Sequence, residues 1–366
     1  MVEISKLKLT NFRNFSARSF EFQKGINFLF GQNGAGKTNV LEALTLLGKS
    51  PLLRGSDLDE MLKVNENSFT IFAEISQHEF IEKIAINFDL EKKKKVVFVN
   101  GDELNNRSQD VKNHLINFVF LTPQIEQLFI SGKSNRRDYL DKIVCDVNYS
   151  HQKEINSYQK LLRERLVILQ KYLNSKSNEK WLDLIENQIA EIGVAIAFAR
   201  IEAVDFFNRA IISFASNFPK TSLCVIGEIE EMALRKSALE IEGFYRQKLK
   251  ENRKIDLESF KTNFGVHRCD FDALFLDKEM SALRCSTGEQ KAIMMSITLA
   301  RSKISANYKN QPTILIFDEI VSHLDEGRKA NLFDEILQNN LQSFASATSS
   351  ELISPQFLQK SNGIFL

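Results

Sequence analysis

An α/β fold interrupted by a helical lobe is what this sequence predicts, on three observations. An apolar run, Ile26–Phe30, leads straight into the glycine-rich Gly31–Thr38, and an amphipathic segment follows. Far downstream, Thr313–Phe317 is a continuous apolar run of strand length that finishes on two acids, Asp318 and Glu319. Between them, residues 150–217 hold a single glycine, Gly193, and no proline, with apolar residues stepping by three and four. The first two patterns belong to buried parallel strands in a layered α/β unit, and the third to helices.

The bulk numbers allow this. With 366 residues, 43% of them hydrophobic, the chain can bury a sizeable core in two domains or one large one. Formal net charge is +1, so any nucleic-acid surface has to be a local basic patch and not a global field. Cys145, Cys224, Cys269 and Cys285 show neither CxxC spacing nor a flanking metal pattern, and read as reduced intracellular thiols. The first residues, Met1–Lys8, are charged from the third position and alternate like a strand, unlike a signal peptide. No stretch reaches membrane-span length, and the expected location is the cytoplasm.

Taken in order, Ile4/Leu7/Leu9 and Ile26–Phe30 are strands joined through the turn-rich Thr10–Asn14. Val40–Leu44 opens a helix. Phe69–Ile75, Ile84–Phe88 and Val96–Val99 are further strands, with Lys92–Lys95 as a solvated hairpin tip and Asn100-Gly101 as a tight turn. Ile155, Tyr158, Leu162, Leu166 and Leu169 form one helical seam, and Leu182, Ile185, Ile189, Ile192, Ile196, Ala199 and Ala203 form another. Asn174–Asn178 separates them, giving a helical hairpin. From about Phe264 the texture returns to glycine-punctuated α/β. The expected division is a discontinuous head, residues 1–125 plus 260–366, and an inserted helical lobe, residues 126–259.

Three motifs carry chemistry. Gly31-Gln32-Asn33-Gly34-Ala35-Gly36-Lys37-Thr38 fits G-x-x-x-x-G-K-[ST] in full. Its glycines let backbone N–H groups surround phosphates, Lys37 reaches the β- and γ-phosphates, and Thr38 ligates Mg²⁺. Asp318 ends the apolar strand where a metal partner is needed, and Glu319 beside it is placed as a general base. Ser286-Thr287-Gly288-Glu289-Gln290 opens a helical run. As an isolated pentapeptide it reads as a plain N-cap, and its place ahead of the acidic strand favours a second anion site built on Ser286 and Gly288.

These motifs together resemble an SMC-type ABC ATPase head. The likeness also rests on Ile4-x-x-Leu7-x-Leu9-x-Asn11-Phe12-Arg13-Asn14 and on Asp318-Glu319 followed by Ser322-His323-Leu324-Asp325. More narrowly the chain resembles the RecF family of bacterial recombination mediators. That likeness is carried by Phe120-Leu121-Thr122-Pro123 leading to Arg136–Asp141, by Gly265-Val266-His267-Arg268, and by Glu42-Ala43-Leu44 with Arg54 downstream. Two departures stand out. The family commonly has Gly-Pro-His-Arg-Asp-Asp where this chain reads Gly265-Val266-His267-Arg268-Cys269-Asp270. The usually threonine-rich switch segment reads Ser346-Ala347-Thr348.

The resemblance implies an ABC-type P-loop ATPase head, a mixed sheet flanked by helices, with the helical hairpin inserted as a second lobe. It implies ATP and Mg²⁺, with Gln124 as a metal or water contact. Ser286 and Gly288 then act on the nucleotide of a second copy, with Asp325 linking the two sites of an ATP-dependent homodimer. It further implies weak, DNA-stimulated ATP hydrolysis, in which nucleotide acts mainly as a dimerisation switch. The expected role is sequence-nonspecific binding of single-stranded or gapped DNA in recombinational repair, replication restart and the SOS response, with RecO- and RecR-type mediators as partners. Lys92–Lys95, Arg136/Arg137, Arg163/Arg165 and Lys248/Lys250/Arg253/Lys254 are the candidate DNA contacts, and no stacking-platform motif is evident. Another SMC-like head would call for a nuclease motif or extra domain. A transporter ATPase subunit would usually be shorter and lack the helical insert.

Overall fold

The computed structural model describes residues 2–48, 57–77, 80–104, 116–172, 176–213, 217–308, 313–319 and 324–366. Arg54, Ser322, His323 and the Asn174-Ser175 break lie outside them. The chain forms two compact units. One comprises Met1–Glu126, Ser216–Phe218 and Thr298–Leu366; the other comprises Gln127–Ala215 and Pro219–Ile297.

In chain order the elements are β1 (Val2–Phe12), β2 (Phe15–Glu21), β3 (Ile26–Phe30), α1 (Lys37–Thr45), β4 (Ser68–Gln77), β5 (Phe80–Asp89), β6 (Lys94–Val99), β7 (Asp102–Leu104) and β8 (Asn117–Leu121). There follow α2 (Pro123–Glu126), α3 (Lys133–Val147), α4 (His151–Tyr172), α5 (Lys176–Ser213), β9 (Thr221–Ile226), α6 (Glu228–Ala233), α7 (Ala238–Glu251) and α8 (Arg253–Ser259). The last part holds β10 (Asp270–Phe275), β11 (Met280–Ser281), α9 (Thr287–Tyr308), β12 (Thr313–Phe317), α10 (Glu326–Gln338), β13 (Ser343–Ala347), α11 (Pro355–Leu358) and β14 (Ser361–Phe365).

The first unit contains two sheets. One is antiparallel, ordered β2-β1-β4-β5-β6-β7, and the alternating pattern of its strands buries Leu7, Leu9, Ile71, Ala73, Ile84 and Ile86 on one face. The other is parallel, ordered β14-β3-β13-β12-β8, and its strands β3, β12 and β13 are buried at every residue. That is why the β3 and β12 runs read as near-continuous apolar stretches rather than alternating ones. Helix α1 contributes Val40, Leu41, Ala43 and Leu44 to a hydrophobic core that also takes residues from both sheets. Each fully buried valine or leucine of this kind stabilises the unit by about 1.5–3 kcal/mol. The hairpin tip differs from expectation in extent, since Lys94 and Lys95 already belong to β6 and pair with Asp89 and Phe88.

The second unit is built on α4 and α5, 22 and 38 residues long. Their seam residues Tyr158, Leu169, Ile185, Ile189 and Ile196 form one core with Ile241, Tyr245 and Leu249 of α7. It is not helical throughout. A three-stranded sheet, β11-β10-β9, belongs to it, with β10 antiparallel to β9 from Asp270↔Ile226 to Phe275↔Thr221. This pairing draws residues 260–297, assigned by sequence texture to the head, into the second unit, and the division falls inside α9.

Candidate functional site

The parallel sheet creates the site. Its strands all run in one direction, so the carboxyl ends of β3, β13, β12 and β8 lie along one edge. Ligands of open α/β sheets bind at that edge. It receives Gly31 from β3, Ser346 from β13, Asp318-Glu319 from β12, and Gln124 just beyond β8.

The glycine loop runs from the end of β3 into α1. Gly34 has φ 86° and Gly36 φ 106°, a region that L side chains rarely adopt. A Cβ on Gly36 would also lie 2.6 Å from Phe15 and 2.8 Å from the Asn14 amide, so alanine is excluded twice. Lys37 is buried, and its ammonium donates to the carbonyls of Gly31 at 2.6 Å and Gln32 at 3.0 Å. Gln32, Asn33 and Ala35 complete the loop, whose N-cap is Gly36.

The loop is braced from the β1–β2 hairpin, and sequence reading gave these residues no role in the site. Arg13, at φ 52° in the turn, donates through Nε and Nη2 to both carboxylate oxygens of Glu42 at 2.8 Å each. Asn14 donates to Ala35 O and accepts from Asn39. The Asn-Phe-Arg-Asn segment and Glu42 thus support the loop and α1 from behind. Their only sequence signal was the motif itself.

Opposite the loop, Thr38 Oγ1 donates to Asp318 Oδ1 at 3.2 Å, across 280 positions of sequence. Ser346 Oγ donates to the same oxygen at 2.8 Å, and the backbone N–H of Glu319 donates to Ser346 Oγ at 2.7 Å. Asp318 is buried, whereas Glu319 is exposed and sits at φ 58°. In the switch segment Ser346 is fully buried on these partners and Thr348 is exposed. Gln124 is exposed on α2, and Asp325 caps α10 by accepting from the Arg328 N–H at 2.9 Å. A glycine-rich loop at a helix N-terminus, a lysine, a hydroxyl–carboxylate pair and an exposed carboxylate suit a polyphosphate with a hard divalent cation.

In the second unit, Ser286 caps α9 in a full capping box. Its N–H and hydroxyl donate to Glu289 Oε2 at 2.8 and 2.7 Å. Lys278, and then Ser286, hold the Glu289 carboxyl down at about 2. The N-cap reading of the pentapeptide holds, with Ser286 exposed and Gly288 half-buried at the start of a 22-residue helix. Gln290 is buried and donates to Ala282 O at 2.8 Å, fixing the approach to Ser286.

Several basic candidates are overturned as DNA contacts. Arg136 is buried on Asp270 at 2.7 and 2.8 Å. Arg165 is wholly buried on Glu186 and Asp256, and Arg253 is buried on Glu186 and Asp183. Desolvated guanidiniums need such partners, and these three are structural. Arg163 and Lys254 are exposed. The Gly265–Asp270 block is likewise held inside this unit. Tyr245 OH accepts the Val266 N–H, His267 bonds Tyr158 and Thr262 O, and Arg200 bonds Val266 O and Cys269.

Comparison with known proteins agrees with this architecture. The family described as the RecF/RecN/SMC N terminal domain matches residues 3–365. The chain is therefore an ATPase head of the RecF/RecN/SMC class. It is 34% identical to the DNA replication and repair protein RecF of Agrobacterium fabrum strain C58, over 99% of this chain and 98% of that one. It is 35% identical to RecF of Rhizobium rhizogenes strain K84, over 96% and 94%. A solved structure of the recombination mediator RecF with ATP aligns with a TM-score of 0.79 at 25% identity, covering 96% and 94% of the two chains. This protein belongs to the RecF family. An SMC head bound to the C-winged helix domain of ScpA, at TM-score 0.53 and 15% identity, shares the fold.

Proposed function

We propose that this chain is an ATP-dependent DNA clamp of recombinational repair and replication restart, closing as a homodimer on nucleotide and opening on hydrolysis. The observation that carries the reading is the convergence of Thr38 and Asp318 at 3.2 Å beside a complete phosphate loop, with the Glu319 carboxylate exposed next to them. Two oxygen donors of this kind suit Mg²⁺, which keeps few protein ligands and shares the substrate's phosphates. Bound Mg²⁺ would neutralise the charge that builds on the transferred phosphoryl group.

The roles follow from position. Loop amides from Gly31 to Gly36 and Lys37 hold the phosphates; Thr38 and Asp318 hold the metal. Glu319 takes a proton from the attacking water, and Gln124 orients metal or water. Ser286 and Gly288 offer an anion site to the nucleotide of a second copy, and Asp325 links the two composite sites of a two-fold dimer. ATP then favours the dimer by its differential affinity. Hydrolysis is slow and DNA-stimulated, so that nucleotide serves mainly as a switch.

The relatives' name, DNA replication and repair protein, supports a role on DNA. The pathway named for the ATP-bound relative, RecFOR, supports RecO- and RecR-type partners. Binding is sequence-nonspecific, to single-stranded or gapped DNA, and leads to recombinase loading and SOS induction. Among the described residues no helix is long and apolar enough to cross a membrane. The test is anisotropy on gapped, single-stranded and duplex DNA with ATP, ADP or no nucleotide. Binding that depends on ATP supports the clamp; binding indifferent to nucleotide sinks it.

A further inference from the structure

Ser346 has no role in the scheme above, yet it is the only described side chain bonded to both acids of the site at once. Strand β13 lies between β3, which feeds the phosphate loop, and β12, which carries the acids. From there one hydroxyl makes two bonds of opposite sense. It accepts the Glu319 N–H at 2.7 Å and donates to Asp318 Oδ1 at 2.8 Å. That carboxylate oxygen is the one Thr38 also reaches.

Each bond has a physical consequence. Glu319 is a non-glycine residue at φ 58°, a conformation that persists only where the surroundings enforce it. The bond to its N–H enforces it, turning the chain at the end of β12 so that the Glu319 carboxylate faces outward. The bond to Asp318 fixes the rotation of a buried carboxylate whose other hydroxyl partner is the loop's Thr38. A hydroxyl can give and receive at one atom, which neither alanine nor a thiol does comparably.

We infer that Ser346 is a positioning residue that couples the cation held by Thr38 and Asp318 to the orientation of Glu319. Anything that draws on Asp318 Oδ1 acts on the hydroxyl that anchors the backbone of the base. This rests on the proposed ATPase reading. Groups that orient ligands in this indirect way are typically worth about 10–100-fold in metal affinity or activity.

The test compares wild type with Ser346→Ala, Ser346→Cys and Ser346→Thr. ATP affinity is measured with a fluorescent analogue in EDTA and again in Mg²⁺, beside kcat, KM and the thermal midpoint. Ser346→Ala is expected to bind ATP as wild type in EDTA, to lose most of the affinity gained from Mg²⁺, with KM rising to match, and to lose about 10–100-fold in kcat. Ser346→Cys, which preserves volume, is expected to behave alike, and Ser346→Thr to recover both. A Ser346→Ala protein that keeps its kcat and its Mg²⁺ response overturns the inference. So does one whose EDTA affinity and melting fall in step with kcat, because the hydroxyl would then be holding the fold. A wild type that gains nothing from Mg²⁺ overturns the ATPase reading as well, and that arm tells the two failures apart.

Discussion

Arg13 and Glu42 form a two-pronged ion pair, both bonds 2.8 Å long, between a β-hairpin turn and the helix that carries Lys37 and Thr38. Glu42 is wholly buried. Removing Arg13 leaves a carboxylate without its counter-charge in the core, which costs about 3–5 kcal/mol. Arg13→Ala is therefore expected to lower the denaturant midpoint strongly and to weaken ATP binding. Glu42→Gln should be milder in both. Equal, small effects from the two changes would show that the pair does not brace the loop.

Separating binding from turnover calls for two changes at the sheet edge. Glu319→Gln removes a base worth about 10²–10⁴-fold in rate and leaves the phosphate contacts, so it should accumulate an ATP-bound dimer. Lys37→Met removes the loop's ammonium and should abolish nucleotide binding and dimerisation together. Light scattering after gel filtration with Mg²⁺ and ATP reads both. A Glu319→Gln protein that stays monomeric would rule out the nucleotide sandwich.

The surface and buried arginines should part company. Arg165→Ala strands Asp256 in the interior and leaves Glu186 to Arg253 alone, and is expected to destabilise by about 3 kcal/mol or more. Arg163→Ala and Lys254→Ala alter exposed side chains and should leave melting nearly unchanged. If they touch phosphates, each reduces the slope of log K against log[salt] by about 0.9. Salt titration of DNA binding beside thermal melts decides it, and a slope equal to wild type removes these two residues from the interface.

Acid should weaken the second unit through His267. Burial, helped by Arg268 and Arg137, depresses its pKa to about 4 from an ordinary 6.5. A neutral ring with its proton on Nε2 donates to Thr262 O and accepts from Tyr158 at Nδ1. The unfolded chain takes up a proton that the folded one refuses, so this contribution is complete above pH 6.5 and is lost as pH falls towards 4. Its size is on the order of 3 kcal/mol. Unfolding curves at pH 7 and pH 5 should diverge for wild type and diverge less for His267→Asn.

What could be read from sequence was contiguous. The phosphate loop, its strand and its helix sit within twenty residues, and Asp318-Glu319 with the capping pentapeptide are equally local. The bracing by Arg13 could not be read, because it depends on where a turn points. Ser346 was visible as part of the switch segment, but its bonds to Asp318 and Glu319 were not: strand order, not chain order, puts β13 between the loop and the acids. Basic residues misled because charge alone does not reveal burial, and Arg165 looks no different from Arg163 until its carboxylates are in place. The unit boundary was misplaced because glycine-rich texture marks strands without saying which sheet they join; β10 pairs with β9.

The 280 positions between Thr38 and Asp318 also order events in time. On the ribosome the phosphate loop emerges early, and the acids and the strand bearing Ser346 emerge late, after the whole helical hairpin. A nascent chain therefore carries half a nucleotide site for most of its synthesis. A cation held by Thr38 and Asp318 as proposed cannot reward folding until β12 and β13 slot in beside β3, so a premature stop before residue 343 should release a protein that gains no ATP affinity from Mg²⁺.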